Sequence, residues 1–365
     1  MRRIVVKLGT SVLTRGTSYL NRQRMLEIVQ QIAQLQADGH EVIVVSSGAQ
    51  TAGREQLDFP DLGKSVPAKQ MLAAVGQSRL MRIYKDLFDI FEVVVAQILL
   101  TRDDLSRRGR YLNARDTLIT LIEHNIIPII NENDTIATEE IRVGDNDNLS
   151  ALVASVLDAD LLIILTDQPG VFTDDPRKNP QAALIQTIEH ISDDLFALAG
   201  GAGTTMGTGG MFTKIQAAQI ATRSGVKTVI ASGSEPNVIT RLAQGELIGT
   251  HILPSNDTPE SRKRWLLTDR TQGAVVVDAG AVRVLMKGGA SLLPVGIRVV
   301  EGDFERGATL AVLSPDRREI AHGLTNYSSD DLNKLCGKKS SEIVDTLGYS
   351  YGDAVLHRNN LVLLK

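Results

Sequence analysis

The sequence predicts an α/β protein in which a mainly parallel sheet is sandwiched between helical layers, followed by a small β-rich C-terminal domain. Three observations support this class. Short β-branched runs recur along most of the 365 residues, and most of them are almost continuously apolar, as in strands that are covered on both faces. Helical stretches alternate with these runs, an order typical of parallel sheets. In the last third of the chain the alternation gives way to short strand-like pieces separated by glycines and turn residues, the pattern of a small all-β module.

Six runs are predicted to be strands of the first domain: RIVVKLG, EVIVVSSG, FEVVVAQILL, NIIPIIN, LLIILTD and KTVIASG. Four segments have the apolar spacing of helices: NRQRMLEIVQQIAQLQADG, AKQMLAAVGQSRLMRIYKDLF, ARDTLITLIEH and TKIQAAQIATRSG. In the C-terminal part, four more strands are predicted: AVVVD, VRVLM, IRVVEGDF and ATLAVL. We therefore expect a ligand-binding domain over residues 1–258, a polar linker over 259–272 and a β-rich domain over 273–365.

Composition narrows the possible functions. The formal net charge is −4, so no overall basic field recruits nucleic acid or an acidic membrane. Cys336 is the only cysteine, which excludes an internal disulfide and fits a reducing compartment. The basic start is followed by an apolar run that breaks at Lys7, unlike a signal peptide, and no apolar run approaches the roughly 20 residues of a membrane span. These features predict a cytoplasmic enzyme.

Several loops are predicted to converge at one edge of the sheet, because ligands of open α/β sheets bind beyond the carboxyl ends of the strands. KLGTS, SSGAQTAG, NENDT and TDQPG each follow a predicted strand, while GDNDN and GTGGMFTK each open a helix. Gly9, Gly48, Gly209 and Gly210 let backbone amides approach a ligand, and amides ahead of a helix suit phosphate. Together with Lys214, the glycines of GTGGMFTK indicate a site for nucleotide phosphates.

Lys7 interrupts an apolar strand, where a buried ammonium group is costly. A lysine that reaches solvent from the strand end explains this position equally well when it is considered alone. Together with Lys214, however, it supplies two cations of the kind that phosphoryl transfer requires. The stretch LGKS resembles the end of a Walker loop, but Asp58 occupies the position of the required glycine and Pro60 intervenes, so the sequence excludes that mode of binding.

Four polar residues, Asp145 to Asn148, crowd together immediately before a predicted helix. Turn formation and helix capping would account for them if the segment stood alone. Their convergence with the other loops favours a functional role.

The motifs VVKLGTS, SSGA, NENDT, VGDNDNLSALVA, ILTDQPGVFTDDPR and GTGGMFTK resemble, in order, those of the amino acid kinase family, in the branch that phosphorylates glutamate. NEND combined with GDNDNLSA is the most specific of these features. The C-terminal module resembles a PUA domain. The resemblance implies an ATP-dependent kinase that makes γ-glutamyl phosphate from L-glutamate, the first step of proline biosynthesis, with Mg²⁺ bound mainly through the ATP phosphates. It also implies feedback inhibition by proline and a homo-oligomer.

The resemblance further implies roles for individual residues. Lys7 and Lys214 would contact the transferring phosphoryl group, and Asp147 would orient them. Glutamate would be held by Ser47, Asp134 and Asn146, whereas Asp145 and Asn148 would shape the loop and the helix cap. The ATP site would be lined by Lys7, Thr166, Asp167, Thr208, Gly209, Gly210, Met211, Phe212, Thr213 and Lys214. The attacking γ-carboxylate is already a nucleophile, so catalysis reduces to positioning and charge neutralisation.

Three other functions are compatible with parts of the sequence. A kinase for another small acid, such as acetylglutamate or a carbamate, would leave Asp134 without an ammonium partner. RNA binding is suggested by the PUA resemblance, but 12 basic and 12 acidic residues from Trp265 to Lys365 leave that module neutral, whereas phosphate-driven binding needs clustered cations. A non-catalytic ligand sensor would be expected to lack one of the two lysines, and both are present.

Overall fold

The computed structural model describes residues 1–63, 65–137, 146–200, 210–254 and 270–364. The chain forms two compact units. The first comprises Met1–Leu105 and Thr117–Thr258, and the second comprises Ser106–Asp116 and Pro259–Lys365. Most of the predicted linker, residues 259–269, lies outside the described part. Among the described residues, no helix combines the length and the apolar character needed to cross a membrane.

The first unit is built on an eight-stranded sheet with the order β3-β4-β2-β1-β5-β7-β8-β6. Neighbouring strands are parallel except β7 and β8, which are antiparallel. The six predicted strands correspond to β1 to β5 and β7, and the predicted fold class is confirmed. The strands are β1 (Arg3–Leu8), β2 (Glu41–Ser46), β3 (Val95–Leu100), β4 (Ile127–Glu132), β5 (Leu161–Thr166), β6 (Thr187–Ile188), β7 (Lys227–Ser232) and β8 (Thr250–Ile252).

Helices cover this sheet. Alternate residues of β1, namely Ile4, Val6 and Leu8, pack in one core cluster with apolar residues of five helices, α1 to α4 and α10. Val5 lies between them and is also fully buried, because successive side chains of a strand point to opposite faces. The helices up to residue 254 are α1 (Thr10–Thr14), α2 (Arg22–Ala37), α3 (Ala49–Gln56), α4 (Val66–Asp89), α5 (Arg102–Ser106), α6 (Arg108–Glu123), α7 (Asn146–Val156), α8 (Asp193–Gly200), α9 (Met211–Arg223) and α10 (Val238–Ala243).

Helices α3 and α4 approach each other closely through two glycines. A Cβ atom on Gly76 would lie 1.8 Å from the carbonyl oxygen of Ala49, and one on Gly53 would lie 2.0 Å from that of Leu72. Gly48, just before α3, has φ +99°, a left-handed conformation that favours glycine. The sequence therefore fixes the start of α3 against α4, and this junction adjoins the carboxyl end of β2.

The second unit contains a five-stranded sheet with the order β10-β9-β11-β12-β13. It matches the predicted β-rich domain, including three of the four predicted strands; two further strands, β12 and β13, were not predicted. Its strands are β9 (Gly273–Val277), β10 (Ile297–Glu301), β11 (Thr309–Leu313), β12 (Glu319–Thr325) and β13 (Leu356–Leu363), and its helices are α11 (Ala279–Met286), α12 (Ser329–Leu335) and α13 (Ile343–Leu347).

The prediction of a fourth strand at VRVLM is wrong, because this segment lies within α11. The carboxylate of Asp278 accepts a hydrogen bond from the Ala281 amide at 2.8 Å and caps this helix. Leu285 is buried, whereas Val284 and Met286 are 52% and 50% exposed. The valines suggested a strand, but a capping aspartate and the burial of a single side chain are compatible with a short surface helix.

Residues 106–116 pack within the second unit. Leu112 is fully buried and clusters with Leu324 of β12. The guanidinium group of Arg306 donates hydrogen bonds to the side chains of Asn113 and Asp116. These contacts tie a segment from the middle of the chain to the β-rich sheet.

Candidate active site

The predicted functional loops surround one pocket of about 540 Å³ at the carboxyl ends of β1, β2, β4 and β5. This is the sheet edge at which α/β proteins bind ligands. The residues of the prediction that line it are Lys7, Ser47, Asp134, Asn146, Thr166, Asp167 and Lys214. The structure therefore brings together residues that are up to 207 positions apart in the chain, from Lys7 to Lys214.

Asp147 lies between the two lysines. Lys7 Nζ, from the end of β1, is 2.6 Å from Asp147 Oδ1, and Lys214 Nζ, from the first turn of α9, is 3.3 Å from Oδ2. The two lysines are each 5% exposed and Asp147 is fully buried. Thr213 adds a hydrogen bond from its hydroxyl to Oδ2 at 2.8 Å. One carboxylate thus fixes two ammonium groups that come from opposite ends of the first unit's sequence.

The pKa values reflect this arrangement. Burial alone would raise the pKa of Asp147, but Lys7, Lys214 and the hydrogen bond from Thr213 outweigh it and lower the pKa to about 2. Burial lowers the pKa of Lys214, and the adjacent Asp147 carboxylate opposes that shift. The formal charges of the three groups, one carboxylate and two ammonium groups, sum to +1. A poorly hydrated positive charge at the end of parallel strands suits an anionic phosphoryl group.

A second cluster is formed by carboxamide groups. Asn146 Nδ2 lies 3.0 Å from the carbonyl oxygen of Ser46, 3.1 Å from Ser47 Oγ and 3.0 Å from Asn131 Oδ1. Its own oxygen, Oδ1, is buried and accepts no hydrogen bond from the described residues. Asn146 thus lines the pocket while its oxygen stays buried without a partner among the described residues.

Asp134 supplies a negative charge to the same wall. Burial raises the pKa of its carboxyl group, and a hydrogen bond from Gln50 opposes the shift. That bond, from Gln50 Nε2 to Asp134 Oδ1, is 3.4 Å long, beyond the usual range of 2.7–3.2 Å. A weakly bonded, partly buried carboxylate of this kind would be stabilised by a cationic ligand.

The residues predicted to bind ATP lie in different parts of the structure. Thr166 and Asp167 line the pocket, and the Thr166 hydroxyl donates to Asp167 Oδ1 at 2.9 Å. The first turn of α9 begins at Gly210, and a Cβ atom there would meet open space. Met211 and Phe212 continue this turn, and the Phe212 ring packs 5.4 Å from that of Phe196. Thr208, Gly209 and Asp145 lie outside the described residues.

Thr213 and Asn148 are oriented by their neighbours. Thr213 is 4% exposed, and its hydroxyl is held by Asp147 and by the carbonyl oxygen of Gly210, so it supports the lysine cluster. Asn148 donates to Gln216 Oε1 at 3.0 Å, which ties α7 to α9.

Sequence reasoning assigned no role to several residues of this region. Asn131, Gln50 and Arg54 line the pocket, and Gln77 contacts Asn131 from α4. Asn131 belongs to the motif NENDT, and Gln50 belongs to SSGAQTAG. The motifs therefore indicated that both residues lie near the site, but they did not indicate what either side chain does. Gln77 lies within an ordinary helical pattern, and no local signal distinguishes it.

Comparison with known proteins agrees with this fold and identifies the family. Residues 2–232 match the amino acid kinase family and residues 273–347 match the PUA domain. The chain belongs to the amino acid kinase family, with a PUA domain after the kinase domain.

The full-length relatives specify the branch of the family. Proteins named glutamate 5-kinase are similar over almost their whole length in Herpetosiphon aurantiacus (55% identity, covering 99% of this chain and 98% of that protein) and Deinococcus radiodurans (52% identity, covering 99% and 100%). The same holds for a glutamate 5-kinase of Aliivibrio fischeri, at 53% identity, covering 99% of this chain and 98% of that protein.

Proposed function

We propose that this protein transfers the γ-phosphoryl group of ATP to the γ-carboxylate of L-glutamate and so forms γ-glutamyl phosphate, the first step of proline biosynthesis. The observation that carries the proposal is the buried Lys7–Asp147–Lys214 cluster, which lies in one pocket with Asp134 and Asn146. The glutamate 5-kinases that align over the full length support glutamate as the acceptor.

The chemistry needs positioning and charge rather than a general base. A γ-carboxylate oxygen forms a bond to the γ-phosphorus, and the bond from that phosphorus to the β–γ bridging oxygen breaks, leaving ADP. No proton moves, because the carboxylate is already ionised. Negative charge on the transferring oxygens is stabilised by Lys7 and Lys214. Asp147 holds both ammonium groups in place beforehand, so little reorganisation is needed during the reaction.

The acceptor pocket suits a free α-amino acid. Asp134 would pair with the ammonium group, Ser47 would donate its hydroxyl to the α-carboxylate, and Asn146 would contact the same end of the substrate. An acetylated amine carries no charge for Asp134. For this reason we favour glutamate over acetylglutamate or a carbamate, the alternative acceptors of this family.

We further propose that Mg²⁺ enters on the ATP phosphates, with water completing its coordination. Both oxygens of Asp147 face lysines, so this carboxylate does not serve as a metal ligand. We also propose a cytoplasmic homo-oligomer in which residues 1–258 carry out catalysis. The PUA domain, joined through the linker at 259–272 and spanning 273–365, would then have a structural or regulatory role rather than binding RNA.

Trapping of the acyl phosphate tests the activity. With ATP, Mg²⁺ and L-glutamate, hydroxylamine should convert the product into γ-glutamyl hydroxamate as ADP is released. Turnover of N-acetylglutamate at an equal or higher rate would contradict the assignment. Proline carries the same ammonium and α-carboxylate groups, so we expect it to compete with glutamate. Inhibition that saturating glutamate cannot relieve would point to a separate proline site.

A further inference from the structure

We infer that Arg54 binds the α-carboxylate of the amino acid substrate and so selects an α-amino acid over an amine that carries only the reacting carboxylate. Arg54 belongs to α3 and lines the candidate active site, but it has no part in the chemistry described above. The inference rests on the proposed function, because its ligand is the glutamate that Ser47 and Asp134 would hold.

One face of α3 is turned toward the pocket. Because successive residues of a helix are about 100° apart around its axis, Gln50, Thr51 and Arg54 lie within one sector of about 100°. All three line the pocket. On the opposite side of the helix, Ala52 and Gly53 are buried, and Gly53 packs against the backbone of α4. The packing of α3 on α4 therefore directs Arg54 toward the site.

The same face of α3 carries the side chain that contacts Asp134. Gln50 Nε2 lies 3.4 Å from Asp134 Oδ1, and Arg54 follows Gln50 by one turn, about 6 Å along the helix axis. Helical side chains lean toward the N-terminus of their helix, and this tilt directs Arg54 back over Gln50. The two ionic groups of an α-amino acid are attached to one carbon atom. An ammonium group bound by Asp134 would therefore place the α-carboxylate beside this face of α3.

The charge of Arg54 is available to a ligand. Among the described residues that line the pocket, three are basic, namely Lys7, Arg54 and Lys214, and both lysines contact Asp147. The Arg54 side chain makes no ion pair or hydrogen bond within the described part of the chain. A guanidinium group can donate two parallel hydrogen bonds to a carboxylate. Ser47 offers a neutral hydroxyl, so Arg54 would supply the positive charge that the α-carboxylate otherwise lacks.

A purely structural role would also explain an arginine at this position. Arg54 lies in the last turn of α3, where a cation stabilises the negative end of the helix dipole. That effect does not depend on which acid is bound. A ligand without an α-carboxylate therefore separates the two explanations. 4-Aminobutyrate is such a ligand, because it keeps the ammonium group and the reacting carboxylate of glutamate and has hydrogen in place of the α-carboxylate.

Hydroxamate formation from glutamate and from 4-aminobutyrate, at saturating ATP and Mg²⁺, gives kcat/KM for each acid. Arg54→Gln should lower the value for glutamate about tenfold, mainly through KM, which is the lower end of the effect of losing a hydrogen bond to a charged group because Arg54 is exposed. The value for 4-aminobutyrate should not change. Arg54→Lys keeps the charge and should recover part of the loss. Arg82→Gln is the matched control, because it removes the same charge from α4, where the Arg82 side chain is 84% exposed, and it should change neither value.

The outcomes separate this inference from the proposed function. If the unsubstituted protein forms no γ-glutamyl hydroxamate, the proposed function fails and the inference fails with it. If that protein is active, an unchanged kcat/KM for glutamate in Arg54→Gln refutes the contact with the α-carboxylate alone. An equal loss for both acids indicates the structural role and also refutes the contact. Should 4-aminobutyrate be neither a substrate nor a competitive inhibitor, the KM for glutamate decides: it should be higher in Arg54→Gln than in Arg54→Lys, and equal values in the two variants would overturn the inference.

Discussion

Replacing Asp134 by asparagine should weaken glutamate binding while stabilising the fold. The only hydrogen bond that the described residues give this carboxylate comes from Gln50, at 3.4 Å, so most of its bonding capacity remains for a ligand. A hydrogen bond to a charged group contributes about 1.5–3 kcal/mol. Because 1.4 kcal/mol corresponds to a factor of ten, the KM for glutamate should rise roughly ten- to a hundredfold. Asparagine keeps the shape and can still accept from Gln50.

The pH dependence follows from the raised pKa of Asp134. An acid whose pKa is higher in the folded state than in the unfolded state binds its proton more tightly when folded. Its contribution to stability is therefore present at low pH and is lost as the pH rises through the folded pKa. In the absence of glutamate, Asp134→Asn should consequently have the higher Tm near neutral pH, and the difference should shrink as the pH falls.

Isothermal titration measures the binding part of this prediction, and thermal denaturation measures the stability part. Binding of glutamate and of a non-hydrolysable ATP analogue should be titrated in both proteins, with thermal denaturation recorded across pH. The affinity for the ATP analogue should stay within twofold. Equal damage to nucleotide and glutamate binding would refute the pairing of Asp134 with the substrate ammonium. A lower Tm for the variant at every pH would refute the argument that burial of this carboxylate is costly.

Three other changes test separate parts of the structure. Asp147→Asn should lower kcat by about 100-fold or more, because the two lysines lose their common anchor, and an unchanged kcat would exclude the anchoring role. The substitution should also cost about 3–5 kcal/mol of stability, because it leaves buried charge uncompensated. This difference in stability should disappear as the pH falls from 3.8 toward about 2, the lowered pKa of Asp147. Gly76→Ala should lower stability by about 3 kcal/mol in urea denaturation, since its Cβ atom would lie 1.8 Å from a backbone oxygen, whereas Gly109→Ala, another helical glycine with its nearest atom at 3.6 Å, should be neutral or stabilising. A chain ending at Arg264 should keep its phosphoryl transfer at saturating substrates but melt at a lower temperature, because Leu112 would lose its apolar partner in the second unit. If circular dichroism shows that this shortened chain is folded and yet it is inactive, part of the site lies beyond residue 264.

The amino-acid sequence alone determined six of the eight strands of the first unit's sheet and the edge of that sheet at which the candidate site lies. Runs such as LLIIL can be buried on both faces only in the middle of a sheet, and the polar residues that interrupt or follow such runs must then lie at strand ends. The resemblance to family motifs added an expected ligand, glutamate or ATP, for individual loop residues, because the order and spacing of the motifs are specific. The local sequence pattern gave a wrong prediction at VRVLM. Its β-branched residues suggested a strand, but the segment forms a helix that is capped by Asp278.

The tertiary structure alone decided how these residues contact one another. Nothing near Lys7 in the sequence shows that its ammonium lies 2.6 Å from Asp147, since that distance depends on how β1, α7 and α9 pack. The orientation of Asn146 likewise depends on the Ser46 carbonyl oxygen and on Asn131, which lie 100 and 15 positions earlier in the chain. Hydrogen-bond direction and buried charge are long-range properties, because each depends on which groups exclude water from a site. Sequence patterns record which side chains are buried, whereas only packing determines the neighbours that they meet there.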